Sequence, residues 1–315
     1  MTSFHTNPSI IFLLLISLIL SSYLYNVSAD DDSEVEDESP FAYLEDTGKG
    51  PTKWGKIDPL WKACGNGKLQ SPIDLLNRRV QVIRNYNNLK RNYKPAQAFV
   101  KNRGHDIMVI WKGDAGYIDI NGTRYNLLQG HWHSPSEHTF NGTRYDLELH
   151  IVHTNPITNK IAAIGIVYKY GHPDPLLTEL FHHIKSAGKE EKPLGIIDPG
   201  LIKFGSRKYY RCIGSLTVPP CTEGVTWTIL KKVRTVSREQ VRELREAVHD
   251  VGRFESSVTF TAGLGKATDG TSFEILNART SEYISHKGFE SNARPTQNSK
   301  MPVQFYIPKE SEASS

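Results

Sequence analysis

Three histidines fall within a window of 20 residues, and their spacing dictates the backbone that must carry them. His131 and His133 lie in the run Gln129-Gly130-His131-Trp132-His133, and His150 follows in Glu148-Leu149-His150. A strand sends alternate side chains to one face, so an extended run sets His131 and His133 side by side. The stretch from Tyr145 to His153 (Y-D-L-E-L-H-I-V-H) alternates as well. There Asp146, Glu148 and His150 share one face, and Leu147, Leu149 and Ile151 share the other. If these two runs pair as adjacent strands, His150 faces the first two histidines. Three neutral imidazoles with a fourth position open form the donor set of a catalytic zinc (Zn2+), whereas a structural zinc takes four protein ligands.

The rest of the chain also reads as largely β. Short alternating or β-branched runs cover Ala98–Val100, Ile107–Trp111, Tyr117–Ile120, Leu147–His153, Ile161–Tyr170 and Val225–Leu230. Helices are few. Ser237 and Gln240 form a capping box, Val236 and Val241 a staple, and Val241, Leu244 and Val248 an apolar stripe, which predicts a helix over 237–248. A second helix is expected over 174–186. The sequence N-G-T-R-Y occurs twice, at Asn121–Tyr125 and Asn141–Tyr145. Asn-Gly favours a tight hairpin turn, and each copy is also a glycosylation sequon, which marks Asn121 and Asn141 as candidate surface glycan sites.

The first 29 residues contain no Asp, Glu, Lys or Arg, and Ile10–Leu20 is an apolar run of 11 residues, short for a bilayer span. With the small-x-small site Val27-Ser28-Ala29, residues 1–29 read as a secretory signal peptide. Cleavage leaves 286 residues with no membrane segment, enough for one large domain. Residues 30–38 carry seven carboxylates, and 30–40 are read as a solvated, disordered lead. Beyond residue 38 the formal charge is +11, from 38 basic and 27 acidic residues. The basic residues Arg78, Arg79, Lys90 and Arg91 are dispersed among strand-like sequence, which argues against nucleic acid as a partner. Cys64, Cys212 and Cys221 allow three single-bridge pairings, and spacing alone does not choose among them.

The order of residues around the histidines resembles the alpha-type carbonic anhydrases, plant members in particular. The matching runs are GNGKLQSPID at 65–74, QGHWHSPSEHT at 129–139, ELHIVH at 148–153, GSLTVPPCTEGVTW at 214–227 and NARP at 292–295. Five ordered motifs are far more specific than a bare H-x-H. The resemblance implies a mainly β (α+β) domain over 41–308, a large twisted, mostly antiparallel sheet with a few peripheral helices, followed by a tail at 309–315. It also implies reversible hydration of CO2 to bicarbonate and a proton, by hydroxide on a zinc held by His131, His133 and His150, with sensitivity to sulfonamides. Gln129 and Glu148 match positions that hold the rings of His131 and His150, and the Asn292 carbonyl matches the one that holds His133. Thr217 matches the hydroxyl that orients the hydroxide and donates to Glu137. His105 matches a proton shuttle and Tyr43 a water-network residue. Val152, Ala163, Leu216, Val218 and Trp227 match the CO2 pocket. Cys64 and Cys221 match a disulfide, which leaves Cys212 a buried, inert thiol where relatives usually carry Tyr. The secretory route implies the extracellular space or apoplast, with a plastid reached after glycosylation as the alternative.

Three features depart from the family. Ala163 is smaller than the usual Val. Val218 stands where Thr is common and cannot hydrogen-bond, which predicts slower proton transfer or product release with zinc affinity unchanged. The 37 residues from Val251 to Lys287 interrupt a stretch that is almost continuous in relatives. Valine codons begin with GT and a lysine codon can end in AG, so the segment is a retained intron or an unusual surface insertion. Transcripts that read uninterrupted through it in most messages would remove the intron reading. Other functions to weigh are a dedicated zinc hydrolase, a noncatalytic storage or binding protein on the same fold, and a poorly folding splice variant. Retention of all three histidines argues against the storage reading.

Overall fold

The computed structural model describes residues 41–86, 89–249, 264–266, 272–274 and 291–308. The expectations for residues 1–40 and 309–315 lie outside the described residues. So does most of 251–287, of which only Leu264–Lys266 and Ser272–Glu274 are described, paired antiparallel.

Among the described residues, thirteen strands make one sheet. In chain order they are β1 (Val80–Tyr86), β2 (Lys90–Tyr93), β3 (Ala96–Asn102), β4 (Ile107–Lys112), β5 (Gly116–Ile120), β6 (Thr123–His133) and β7 (Leu147–Thr154). They continue as β8 (Ile161–Tyr170), β9 (Lys192–Ile197), β10 (Tyr209–Ser215), β11 (Glu223–Leu230), β12 (Arg234–Val236) and β13 (Val303–Pro308). The spatial order is β9-β3-β4-β6-β7-β8-β11-β10-β13-β1, with β12 beside β8 and β5 between β2 and β6. The pairs are antiparallel except β8–β11, β8–β12 and β13–β1. Each predicted β run lies inside one of these strands, and the mostly antiparallel sheet agrees with the sequence reading.

One face of the sheet is apolar. Leu147, Leu149 and Ile151 join Ile164, Ile166 and Trp132 there in the main core. Two helices, α1 (Pro175–Lys185) and α2 (Arg238–His249), contribute Leu176, Leu177, Leu180 and Ile184 from one and Val241, Leu244 and Ala247 from the other. Both start where the sequence places them. Asp174 caps α1 by accepting from Leu176 and Leu177 N–H. Gln240 N–H donates to Ser237 Oγ, and Ser237 N–H donates to Gln240 Oε1, the reciprocal capping box. The Gln240 amide also donates to Asp174 O and Thr178 Oγ1, which ties the starts of the two helices together. With the helices on this face, the other face is left for chemistry.

The Asn-Gly pairs of both N-G-T-R-Y copies form turns. Asn121 and Gly122, at φ 53° and 83°, join β5 to β6 between the paired residues Ile120 and Thr123. Asn141 and Gly142, at φ 51° and 80°, sit between the bridged residues Phe140 and Thr143. Both asparagines are exposed. Cys64 and Cys221 form a disulfide, with Cα atoms 5.0 Å apart across 157 residues of sequence, and Cys212 is a buried free cysteine. Burial pushes the Cys212 thiol up to about 12, which makes it unreactive at ordinary pH.

Candidate metal centre

The sheet register builds the centre directly. In the antiparallel pair β6–β7, His131 is the partner of His150, and His133 that of Glu148. The three histidine rings have centroids 5.1, 5.2 and 4.6 Å apart, and one ligand atom from each lies within 4.8 Å of the others. All three residues are buried.

Each ring is held from behind. Gln129, two residues before His131 and so on the same strand face, places Oε1 2.8 Å from His131 Nδ1. Glu148 has the same relation to His150, with Oε1 3.0 Å from Nε2. The carbonyl of Asn292 lies 2.7 Å from His133 Nδ1. The metal-facing nitrogens are then Nε2 of His131 and His133 and Nδ1 of His150. Such partners fix both tautomer and ring direction, and three imidazoles from two strands fit zinc with a further position left for solvent or substrate.

Glu148 does more than hold one ring. Oε1 is also 2.8 Å from His138 Nδ1, and Oε2 accepts from the N–H groups of Glu137 and His138 at 2.8 and 2.7 Å. Burial works to raise its pKa, but the charges and hydrogen bonds of His138 and His150 prevail and hold it well below the ordinary carboxylate range. Glu137 has the opposite balance. Burial pushes it up to about 7, against the pull of His150, the Thr217 hydroxyl and the Arg294 N–H. Its Oε2 lies 3.6 Å from His133 Nε2 and 3.9 Å from His150 Nδ1, facing the centre.

Two residues along from the ligand row, on the same face, Gln129 leads a row that is otherwise apolar. Gln129, Val152, Ala163, Trp227 and Cys212 are successive partners across β6, β7, β8, β11 and β10. Ala163, Leu216 and Trp227 pack in one buried cluster with Val225, which the sequence reading did not single out although it lies in the motif 214–227. Val218 is fully buried in a second cluster with Phe41, Trp54, Trp61, Cys64 and Cys221.

His105 is buried, 2% exposed, with its ring centroid 5.2 Å from that of Phe41 and its Nε2 3.7 Å from Asp106 Oδ2. Asp106 is paired with the Arg103 guanidinium at 2.5 Å. Tyr43 packs edge-on against Phe41 and Trp54 in the same aromatic group.

Asn292 and Arg294 close the centre from the far end of the chain. Asn292 Nδ2 donates to the carbonyls of His105 and Trp132 at 2.9 and 3.0 Å, and its Oδ1 accepts from Ser134 N–H at 2.7 Å. Arg294 N–H donates to Glu137 Oε1 at 2.8 Å. Its buried guanidinium donates to Gln70 Oε1, Ser71 O and Cys64 O. The sequence reading gave Arg294, His138 and Gly165 no role. The first two sit inside motifs already quoted, and an isolated glycine inside a β-branched strand signals a close approach.

Comparison with known proteins agrees with this architecture. Residues 49–260 match the model of the eukaryotic-type carbonic anhydrases. The chain is 49% identical over 304 residues to alpha carbonic anhydrase 4 of Arabidopsis thaliana, covering 96% of this chain and 98% of that protein. It is 43% identical over 249 residues to dioscorin DB3L of Dioscorea polystachya, covering 78% of this chain and 89% of that protein. Among solved structures, a dioscorin complexed with ascorbate superposes with a TM-score of 0.71 at 35% identity, over 86% of this chain and 99% of that one. The Thermovibrio ammonificans alpha carbonic anhydrase with sulfanilamide superposes with a TM-score of 0.66 at 30% identity, over 84% of this chain and 98% of that one. By sequence and by fold together, this chain belongs to the eukaryotic-type carbonic anhydrases.

Proposed function

We propose that the protein is a zinc-dependent enzyme for the reversible hydration of CO2 to bicarbonate and a proton. The observation that carries this reading is the triad His131, His133 and His150, with each ring fixed by its own partner. When bound there, zinc supplies a water acidified to near neutrality, the property known for carbonic anhydrase itself. Gln129, Glu148 and the Asn292 carbonyl keep the three ligand nitrogens aimed at one point. Thr217 donates a hydrogen bond from its hydroxyl to the Glu137 carboxylate, which leaves the Thr217 oxygen as an acceptor that would orient a hydroxyl bound at the centre. Val152, Ala163, Leu216, Val225 and Trp227 offer an uncharged wall to an uncharged substrate.

His105 carries the proton outward in this proposal, the role in which an imidazole is commonly used. Its ring packs against the buried Phe41, and truncating that ring should open His105 toward solvent. Phe41→Ala is then expected to raise buffer-dependent turnover, and unchanged turnover would remove His105 from the path. Sulfonamides are expected to bind at the same centre. We further propose entry to the secretory pathway and glycosylation at Asn121 or Asn141, checked by a mobility shift on glycosidase treatment.

The competing reading is a noncatalytic member, because dioscorins are among the relatives. Metal removal separates the two. Stripping the purified protein with a strong chelator should abolish CO2 hydration, and one equivalent of zinc should restore it. A protein that hydrates CO2 equally well without metal, or not at all with it, would contradict the proposal.

A further inference from the structure

We infer that Gly165 is a positioning residue for the metal centre, because only a residue without a Cβ leaves room for the Glu148 carboxylate that holds His150. This inference rests on the zinc reading of the site.

Gly165 lies mid-strand in β8, between the fully buried Ile164 and Ile166. Its register partners are His150 on one side and Ile229 on the other. A glycine in a central strand weakens it, since it contributes no packing and loses more chain entropy on folding. Backbone conformation does not explain it either, because Gly165 is not among the residues with positive φ. What remains is space. A Cβ at this position would meet Glu148 Oε1 at 2.8 Å and Ile229 Cδ1 at 3.1 Å.

A carboxylate at the end of a flexible side chain would ordinarily swing aside. Glu148 cannot do so cheaply. It is fully buried, Oε2 is fixed by two backbone N–H groups, and Oε1 is shared between His138 Nδ1 and His150 Nε2. Any shift of Oε1 lengthens one of those contacts, or strands a buried charge. His150 takes the metal through Nδ1 only while Nε2 keeps its proton, and Glu148 Oε1 is the acceptor that keeps it there. Gly165 therefore acts on the metal through Glu148 and His150, without touching it.

The test is the rate at which a strong chelator removes zinc from the purified protein, with near-UV circular dichroism as the check on folding. Gly165→Ala is expected to lose zinc 10- to 100-fold faster, the usual effect of disturbing a residue that orients a ligand. Adding Ile229→Val to relieve the apolar contact should leave that loss in place. In a Glu148→Ala background, adding Gly165→Ala should bring no further loss, because both act through one carboxylate. Additive effects, or full rescue by Ile229→Val, would show ordinary packing instead and overturn the inference. If Gly165→Ala alone does not fold, the pair with Glu148→Ala should fold, and its failure would also overturn it. A wild-type protein that retains no zinc would sink the zinc reading itself. Wild-type retention matched by Gly165→Ala would sink only this inference.

Discussion

His131, His133 and His150 come to the centre from two neighbouring strands, whereas Asn292 lies 159 residues along the chain from His133 and reaches the same centre from the segment that precedes β13. The strands set their geometry by periodicity. A ligand and its holder two residues earlier share a face, and the β6–β7 register supplies the third ligand. The return segment, residues 291–302, has no such device: it carries no helix or strand. Individual bonds from Asn292 and Arg294 place it, and it follows closely on the stretch that interrupts the family pattern. The sheet side is thus placed by periodicity and register, and the return side bond by bond.

The largest effect belongs to the sheet side. His150→Ala removes one of three ligands and should bring CO2 hydration to background, with loss of bound zinc on metal analysis. Next comes the anchor of the return side. Cys64 is bridged to Cys221 and its carbonyl accepts from Arg294. A Cys64→Ser, Cys221→Ser variant should lose about 5 kcal/mol of stability by the chain-entropy account of so long a loop, read from denaturant midpoints.

A third prediction concerns pH on the sheet's apolar side. His153 is buried, with Tyr93 Oη 2.7 Å from Nε2 and its Nδ1 3.2 Å from Ala162 O, and burial lowers its pKa to about 4. The unfolded chain then takes up the proton first. Stability is unaffected above pH ~6.5 and should fall by roughly 3 kcal/mol as pH drops toward 4. His153→Gln should flatten that part of the stability profile, and an unchanged slope would remove His153 as its cause.

Asn292→Ala sharpens the comparison further. It deletes three side-chain bonds but keeps the carbonyl that faces His133, so zinc affinity should drop 10- to 100-fold while the sheet stays folded. Equal zinc affinity would show that the return segment is placed without that side chain. The smallest effect is expected from Val218→Thr, a several-fold rise in turnover with zinc retention unchanged. Val218 sits in the aromatic cluster with Phe41 and holds none of the three ligand rings, and this is why zinc should not respond.

The same contrast explains what could be read from the chain alone. The strand runs, both helix starts and the facing histidines were legible because each is a local pattern of two or of 3.6 residues. The Cys64–Cys221 pairing and the role of Asn292 came only through resemblance, since no local rule connects positions more than 150 residues apart. Arg294 was invisible as a hub because its partners, Gln70, Ser71, Cys64 and Glu137, converge only after folding. Gly165 escaped notice because a glycine's role here is the absence of an atom. The burial of His105 behind Phe41 likewise depends on an N-terminal turn that carries no periodic signal.

The most direct test is stopped-flow CO2 hydration by the purified protein, with zinc content measured on the same sample and a sulfonamide control. The account predicts one zinc per chain and hydration that the sulfonamide abolishes. Folded protein that holds zinc yet shows no inhibitor-sensitive hydration would contradict it.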